Sequence, residues 1–222
     1  MLENLELYPF WISFKLATIT TLFLLIFSIP FSWFLSQTES KIKPFLEALT
    51  ALPIVLPPSV LGFYILITLS PNSGIGQFLK DVFDLNLLFT FSGLVIASVF
   101  YSLPFMVQPL QSGFQSLDKS MLEASYISGK SKLETLFRIA LPNIRPSLLT
   151  AIVVTFAHTV GEFGVVLMIG GSIPNETKVA SVSIYEFVEV MDYNSAHIYS
   201  GIMLFLSFFV LFLVYFSNMK RS

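Results

Sequence analysis

The chain of 222 residues has no cysteine, which excludes disulfide staples, thiolate metal sites and thiol nucleophiles. Histidine is almost as scarce. His158 and His197 are the only two; they fall on different predicted segments and offer no metal-ligand spacing, so no metal site is expected. No local motif suggests a serine, histidine and acid arrangement, and the chain is not read as an enzyme. Charge is the third shortage: 12% of residues are charged, against 55% hydrophobic and 15% aromatic, where ordinary soluble domains carry about a quarter charged. With a mean hydropathy of +0.78, these values describe an all-α integral membrane protein whose main solvent is lipid. No nucleic-acid partner is expected.

Hydrophobic runs predict five spans, at about 10–36, 48–69, 88–107, 147–169 and 197–216, forming a single transmembrane domain over residues 1–222. Met1 to Tyr8 carries Glu3 and Glu6 but no base, the wrong sign for a signal peptide, so the first run is kept as a membrane helix. It exceeds the roughly 20 residues a bilayer needs and should tilt, with Trp11 and Trp33 near the two interfaces and Lys15 snorkelling. The second span begins with Leu52-Pro-Ile-Val-Leu-Pro-Pro-Ser59. Its three prolines remove amide donors and argue against a regular helix there. Such a break is tolerated where it is packed by protein or lines an aqueous cavity; an interfacial turn before a span starting at Ser59 fits the spacing equally well. Residues 70–86 read as a loop, and Lys178 to Val190 as a short helix along the membrane surface.

Nine of the twelve lysines and arginines lie after the first span, in residues 118–145 or at the C-terminus. The positive-inside rule therefore puts the N-terminus outside and the C-terminus and residues 118–142 in the cytoplasm.

Residues 118–142 form a polar, basic island with legible turn chemistry. Asp118 or Ser120 can cap a first short helix, Gly129 can end it in the left-handed conformation, and Ser131 with Glu134 makes a capping box for a second. Leu133, Leu136, Phe137 and Ala140 fall at helical spacing and predict one apolar face, with Lys130, Lys132 and Arg138 in water. Pro142 and Pro146 mark the passage to the fourth span. Gly129-Lys130-Ser131 imitates the end of a phosphate-binding loop, but the pattern requires glycine where Ala124 stands and a preceding strand, so the chain is not expected to hold ATP.

Glu123, Ala124, Ser125, Gly129, Ile139, Leu141 and Pro142 match in order and spacing the EAA loop of permease subunits of binding-protein-dependent ABC importers, which this chain resembles; Ser125 replaces the usual alanine. The resemblance implies that the bent helix pair fits a groove on a separate cytoplasmic ATPase. ATP and magnesium would then be used by that partner, with no cofactor on this chain.

In the fourth span, Thr155, His158, Thr159 and Glu162 stand at i, i+3, i+4 and i+7. They are expected on one helix face turned from lipid, because an ionisable residue in hydrocarbon is costly. Glu162 is then either part of a transport pathway or hydrogen-bonded to a neighbouring helix. Gly161-Glu-Phe-Gly164, Leu167-Met168, Gly171, Ile173-Pro174, Ile184-Tyr185 and Glu189, together with Leu52 to Pro58 and Gly62, are similar to the molybdate permease subunits. That likeness runs from about Ala17 to the end, and sulfate and tungstate permeases share much of it. It implies import of a tetrahedral oxyanion across a bacterial cytoplasmic membrane by two permease copies with two ATPases inside, fed by an extracytoplasmic oxyanion-binding protein. Thr155, His158, Thr159, Gly161, Glu162, Gly164, Pro57 and Pro58 are the candidate pathway residues. Asn175-Glu-Thr177 is a glycosylation triplet given no weight.

Overall fold

The computed structural model describes residues 6–219, in which all regular structure is helical. Glu3 and the closing Lys220-Arg221 pair lie outside the described residues.

Helix α1 (Tyr8–Gln37) has 30 residues, about 45 Å at 1.5 Å per residue; the hydrocarbon core is only about 30 Å thick, so α1 must tilt or emerge. Trp33, near the end of α1, is buried against the protein and meets Phe114 edge-to-face at 5.2 Å. Lys15 places Nζ 4.3 Å above the Phe91 ring, a cation–π contact.

Helices α2 (Lys43–Val55) and α3 (Pro58–Leu69) are bent by 111°. Pro53 stays inside α2; the break comes from the adjacent pair, because a residue before proline is pushed to extended backbone. Leu56 and Pro57 both precede a proline and take ψ of 137° and 139°. The expectation that all three prolines interrupt the helix is thus corrected to two.

Residues 70–86, expected as loop, contain helix α4 (Gly74–Phe83), with Ser73 Oγ accepting from Gly76 N at 2.8 Å. The glycines that suggested a turn lie in its first turn. Helix α5 (Phe91–Gln115) runs through Pro104 and Pro109, well past the expected end at 107.

The basic island holds α6 (Lys119–Ile127), α7 (Lys132–Thr135), a π-helical turn at Leu136–Ala140 and α8 (Leu141–Asn143). An 81° bend then leads into α9 (Arg145–Val160). The continuous span expected over 147–169 is interrupted at residues 161–163 before α10 (Gly164–Gly170). Helices α11 (Ala180–Glu189) and α12 (Tyr193–Met219) complete the described chain.

By length and apolarity, α1, α5 and α12 can each cross a membrane. The number rises to five if α2 with α3, and α7 to α8 with α9, each count as one broken span. Helices α1, α5 and α9 pack on one another at the centre. One apolar cluster joins Leu24, Trp33, Met106 and Phe114 to Leu122, Leu136 and Ala140 of the island. A second, around Leu16, Leu94, Val165 and Ile169, seats α10 against α1 and α5. The island is therefore rooted in the membrane bundle.

Candidate functional site

The hairpin of α6 and α7 is built by local hydrogen bonds. Asp118 accepts from Ser120 N at 2.9 Å and starts α6; the Ser120 amide, and then its hydroxyl, hold the Asp118 carboxyl below its ordinary value. Gly129 ends the helix at φ +78°, donating to Tyr126 O, while Lys130 N reaches Ser125 O. Only a residue without Cβ takes that backbone readily. Ser131 and Glu134 form both halves of a capping box, so the Ser131 amide and hydroxyl lower the Glu134 pKa, and Arg138 at 3.8 Å adds to this.

Tertiary packing divides the expected apolar face of α7 and the π-turn. Leu136 and Ala140 are buried in the core, whereas Leu133 is 66% and Phe137 54% exposed. Two neighbouring arcs of the helix thus do different things: one roots the hairpin and the other stays free. Ile127, 88% exposed at the end of α6, was not singled out by the motif but sits four residues after Glu123, which with Ala124 is also exposed. Ser125 is buried and its Oγ lies 2.8 Å from Thr135 Oγ1, a bond between the two arms that alanine at this position could not make. Ile139 and Leu141 are half-buried, Pro142 is exposed, and Ile139 O accepts from Asn143 Nδ2 at 2.7 Å.

Deeper in the bundle, Ser98 and Ser102, one turn apart on α5, face the polar residues of α9. Ser102 Oγ lies 3.0 Å from His158 Nδ1 and 2.9 Å from Thr159 Oγ1. The His158 ring stands between Tyr101 and Phe105, with centroids 4.8 and 3.9 Å away. Glu162 is past the end of α9, not on its face as the spacing predicts, yet it still turns inward and is 4% exposed. Ser98 donates to its Oε2 at 2.8 Å, and its backbone carbonyl accepts from Ser181 Oγ at 2.6 Å. Oε1 of Glu162 and Oγ1 of Thr155 are buried and have no hydrogen-bond partner among the described residues. Among the described residues no cation is ion-paired with Glu162.

Thr155, Thr159 and Glu162 are therefore interior to one subunit, His158 is half-buried and Gly161 exposed. Pro57 and Pro58 are exposed at the α2–α3 kink. A Cβ on Gly164 would lie 2.9 Å from Pro58 Cβ, so a glycine there lets the first turns of α3 and α10 meet. Thr155, Thr159 and Glu162 with half-buried His158 form a buried column, Pro57 and Pro58 form an exposed kink that Gly164 meets, and exposed Gly161 belongs to neither. Ser98 and Ser102 escape sequence reasoning because small hydroxyl residues are common in membrane helices; their four-residue spacing is the one available signal.

The family model for binding-protein-dependent transport system inner membrane components matches residues 18–220. The molybdenum transport system permease protein ModB of Azotobacter vinelandii is 46% identical over 221 residues, covering 100% of this chain and 98% of its own. A probable sulfate transport system permease protein of Prototheca wickerhamii is 32% identical over 212 residues, or 96% of this chain and 83% of its own. Among solved structures, a bacterial ABC transporter involved in the import of the acidic polysaccharide alginate superimposes with a TM-score of 0.78, covering 99% of this chain and 80% of that one. At 18% identity this is a likeness of fold.

Proposed function

The chain belongs to the family of binding-protein-dependent transport system inner membrane components, and from that premise we propose that it is the permease subunit of an ATP-driven importer of a tetrahedral oxyanion, molybdate. The observation that carries the substrate is the 46% identity to a molybdenum permease over the whole chain. Two copies of the chain enclose the path between them. Two ATPase subunits bind on the cytoplasmic side and use ATP and magnesium, and an extracytoplasmic binding protein delivers the oxyanion. The permease itself does no covalent chemistry.

Coupling passes through residues 118–142. Glu123, Ala124, Ile127, Leu133 and Phe137 offer an exposed, largely apolar surface to a groove on the ATPase. Ser125, Gly129, Ile139, Leu141 and Pro142 fix the shape behind it. Leu122, Leu136 and Ala140 share a cluster with Leu24, Met106 and Phe114, so a displacement of the hairpin is passed to α1 and α5 as a rigid push. Pro57, Pro58, Gly161 and Gly164 border the path at two breaks in helical backbone, with His158 at its edge. Thr155, Thr159 and Glu162 support the wall from inside the subunit. No lysine or arginine is available at these positions to hold a dianion, which favours passage over retention and leaves tight capture to the binding protein. The N-terminus faces outward and the C-terminus the cytoplasm of a bacterial inner membrane, in line with the distribution of basic residues.

Sulfate is the second reading, favoured by the 32% identity to a sulfate permease. Uptake into proteoliposomes containing the permease, its ATPase and its binding protein tests both. Labelled molybdate should enter only with ATP, and excess molybdate or tungstate should compete while excess sulfate does not. Uptake without the ATPase would make the chain a channel or secondary transporter. Competition by sulfate alone would move the substrate to the second reading.

A further inference from the structure

A cleft of about 790 Å³ lies between the end of α1 and the second arm of the hairpin. Its apolar wall is Pro30, Trp33 and Phe34; Tyr126, Lys130 and Lys132 stand on the opposite side. Among the described residues no acidic side chain lines it. The neighbouring carboxylate, Glu134, is engaged by Ser131 and Arg138, and among the described residues neither lysine is ion-paired. Lys130 also acts on Glu134 electrostatically, beyond ion-pair distance, so the cleft joins two cations outside any close ion pair to an apolar wall, the combination that suits an amphiphile with an anionic head.

The wall continues away from the lysines. Phe23, Phe27, Pro30 and Phe34 follow one another at i, i+4, i+7 and i+11 on α1, and all four are exposed. Eleven residues of helix rise about 16 Å, close to half of a hydrocarbon core about 30 Å thick. An acyl chain lying along this stripe would start at the cleft and end near the bilayer centre.

We propose that this cleft binds an anionic phospholipid of the cytoplasmic leaflet, its headgroup phosphate against Lys130 and Lys132 and one acyl chain along the Phe34–Phe23 stripe. Basic pockets beside membrane helices on the cytoplasmic side are suited to such headgroups. The lipid bridges α1 and the hairpin, so it stiffens the joint through which the hairpin moves the bundle. The choice of leaflet rests on the orientation proposed above; binding itself does not.

The test uses the purified permease–ATPase complex in nanodiscs of phosphatidylcholine, with or without phosphatidylglycerol, with retained lipid identified by native mass spectrometry. The wild-type complex should retain phosphatidylglycerol over phosphatidylcholine and hydrolyse ATP faster when it is present. Each lysine near the membrane surface is worth about fivefold in binding (about 1 kcal/mol), so Lys130→Gln with Lys132→Gln should reduce retention by roughly twenty-five-fold. Phe34→Ser should reduce it while leaving both charges in place. Lys43→Gln with Lys119→Gln removes the same charge from a different cleft and should leave retention as in wild type. Equal loss in both double variants would reduce the effect to diffuse surface charge and overturn the site. Unchanged phosphatidylglycerol retention with loss of the ATPase in the Lys130/Lys132 variant would assign the cleft to the ATPase and also overturn it. Displacement of the bound lipid by millimolar inorganic phosphate would make this a free-anion site. Single-cysteine labelling of the hairpin from either side of the membrane checks orientation separately, so a wrong leaflet and a wrong site give different results.

Discussion

Glu162, between α9 and α10, ties α5 and α11 through two groups: its carboxylate takes the Ser98 hydroxyl of α5 and its carbonyl takes the Ser181 hydroxyl of α11. Substitution should separate shape from charge. Glu162→Gln keeps an oxygen for Ser98 and nearly the same volume, and most transport activity should survive. Glu162→Ala leaves the Ser98 hydroxyl without its acceptor in a buried place, a loss of about 1–3 kcal/mol, and should lower both thermal stability and uptake. Full uptake by the alanine variant would remove any role for the side chain. Ser125 is a second test at this scale. Ser125→Ala deletes the 2.8 Å bond to Thr135 yet restores the residue usual in the family motif. It should cost about 1 kcal/mol and leave ATPase retention intact, measured by melting and by co-purification.

The hairpin can be taken apart along the division between its buried and exposed residues. Leu136→Ala removes a fully buried side chain and should destabilise the permease by about 2–5 kcal/mol, whereas Phe137→Ser should leave its melting unchanged and weaken ATPase retention. Loss of stability in the Phe137 variant would mean that the exposed arc is part of the core after all. Gly129→Val isolates the bend, since a Cβ there meets nothing within 4 Å and the whole cost is the positive φ, about 1–3 kcal/mol. It should uncouple ATP hydrolysis from uptake in a permease that still inserts, and Glu123→Arg should do the same by reversing the charge of an exposed side chain on the surface offered to the ATPase; Glu123 is the fifth residue of α6, past the first turn expected for it. The caps also set a pH window. Asp118 and Glu134 are lowered from their ordinary values, so their contribution is fully present above the unfolded value of about 4 and is lost only as pH falls through the lower folded values. Hydrogen exchange of the Ser120 and Ser131 amides, which donate to the two carboxylates, should therefore show unchanged protection from pH 8 down to about 5; loss of protection near neutrality would place the caps elsewhere.

One subunit leaves large apolar surfaces bare. Leu204, Phe205, Phe208 and Phe212 of α12 are exposed, as are Phe23, Ile26 and Phe27 of α1. In a membrane such faces meet lipid or a second subunit at no cost in hydration. The proposed arrangement is two permeases with two ATPases, and mass measurement of the intact complex should give equal numbers of each; one permease per two ATPases would contradict it. The absence of cysteine makes orientation directly testable, because any introduced thiol is unique. Cysteine at the exposed position Lys132 should react only from the cytoplasm and cysteine at Asn72 only from outside. Reaction of both from one side would overturn the topology.

The sequence by itself determined whatever is settled within about one helical turn. Asp118 finds Ser120 two residues on, Ser131 finds Glu134 three on, Gly129 supplies the left-handed residue, and the pair Pro57-Pro58 extends the residue before each proline. The family motif is equally local in its spacing, which is why the hairpin is legible in the sequence. Partners far apart in the chain were decided only by the tertiary structure: Ser98 with Glu162 is 64 residues apart, and Ser32 with Val107 is 75. The same holds for the difference between Leu136 and Phe137, neighbours in sequence with opposite burial. In a water-soluble helix the contrast of polar and apolar faces shows which side is buried. Here 55% of the chain is hydrophobic and lipid is as apolar as leucine, so that contrast is gone. Which apolar residues pack inside and which remain exposed was decided by shape complementarity between helices, a property of the assembled bundle.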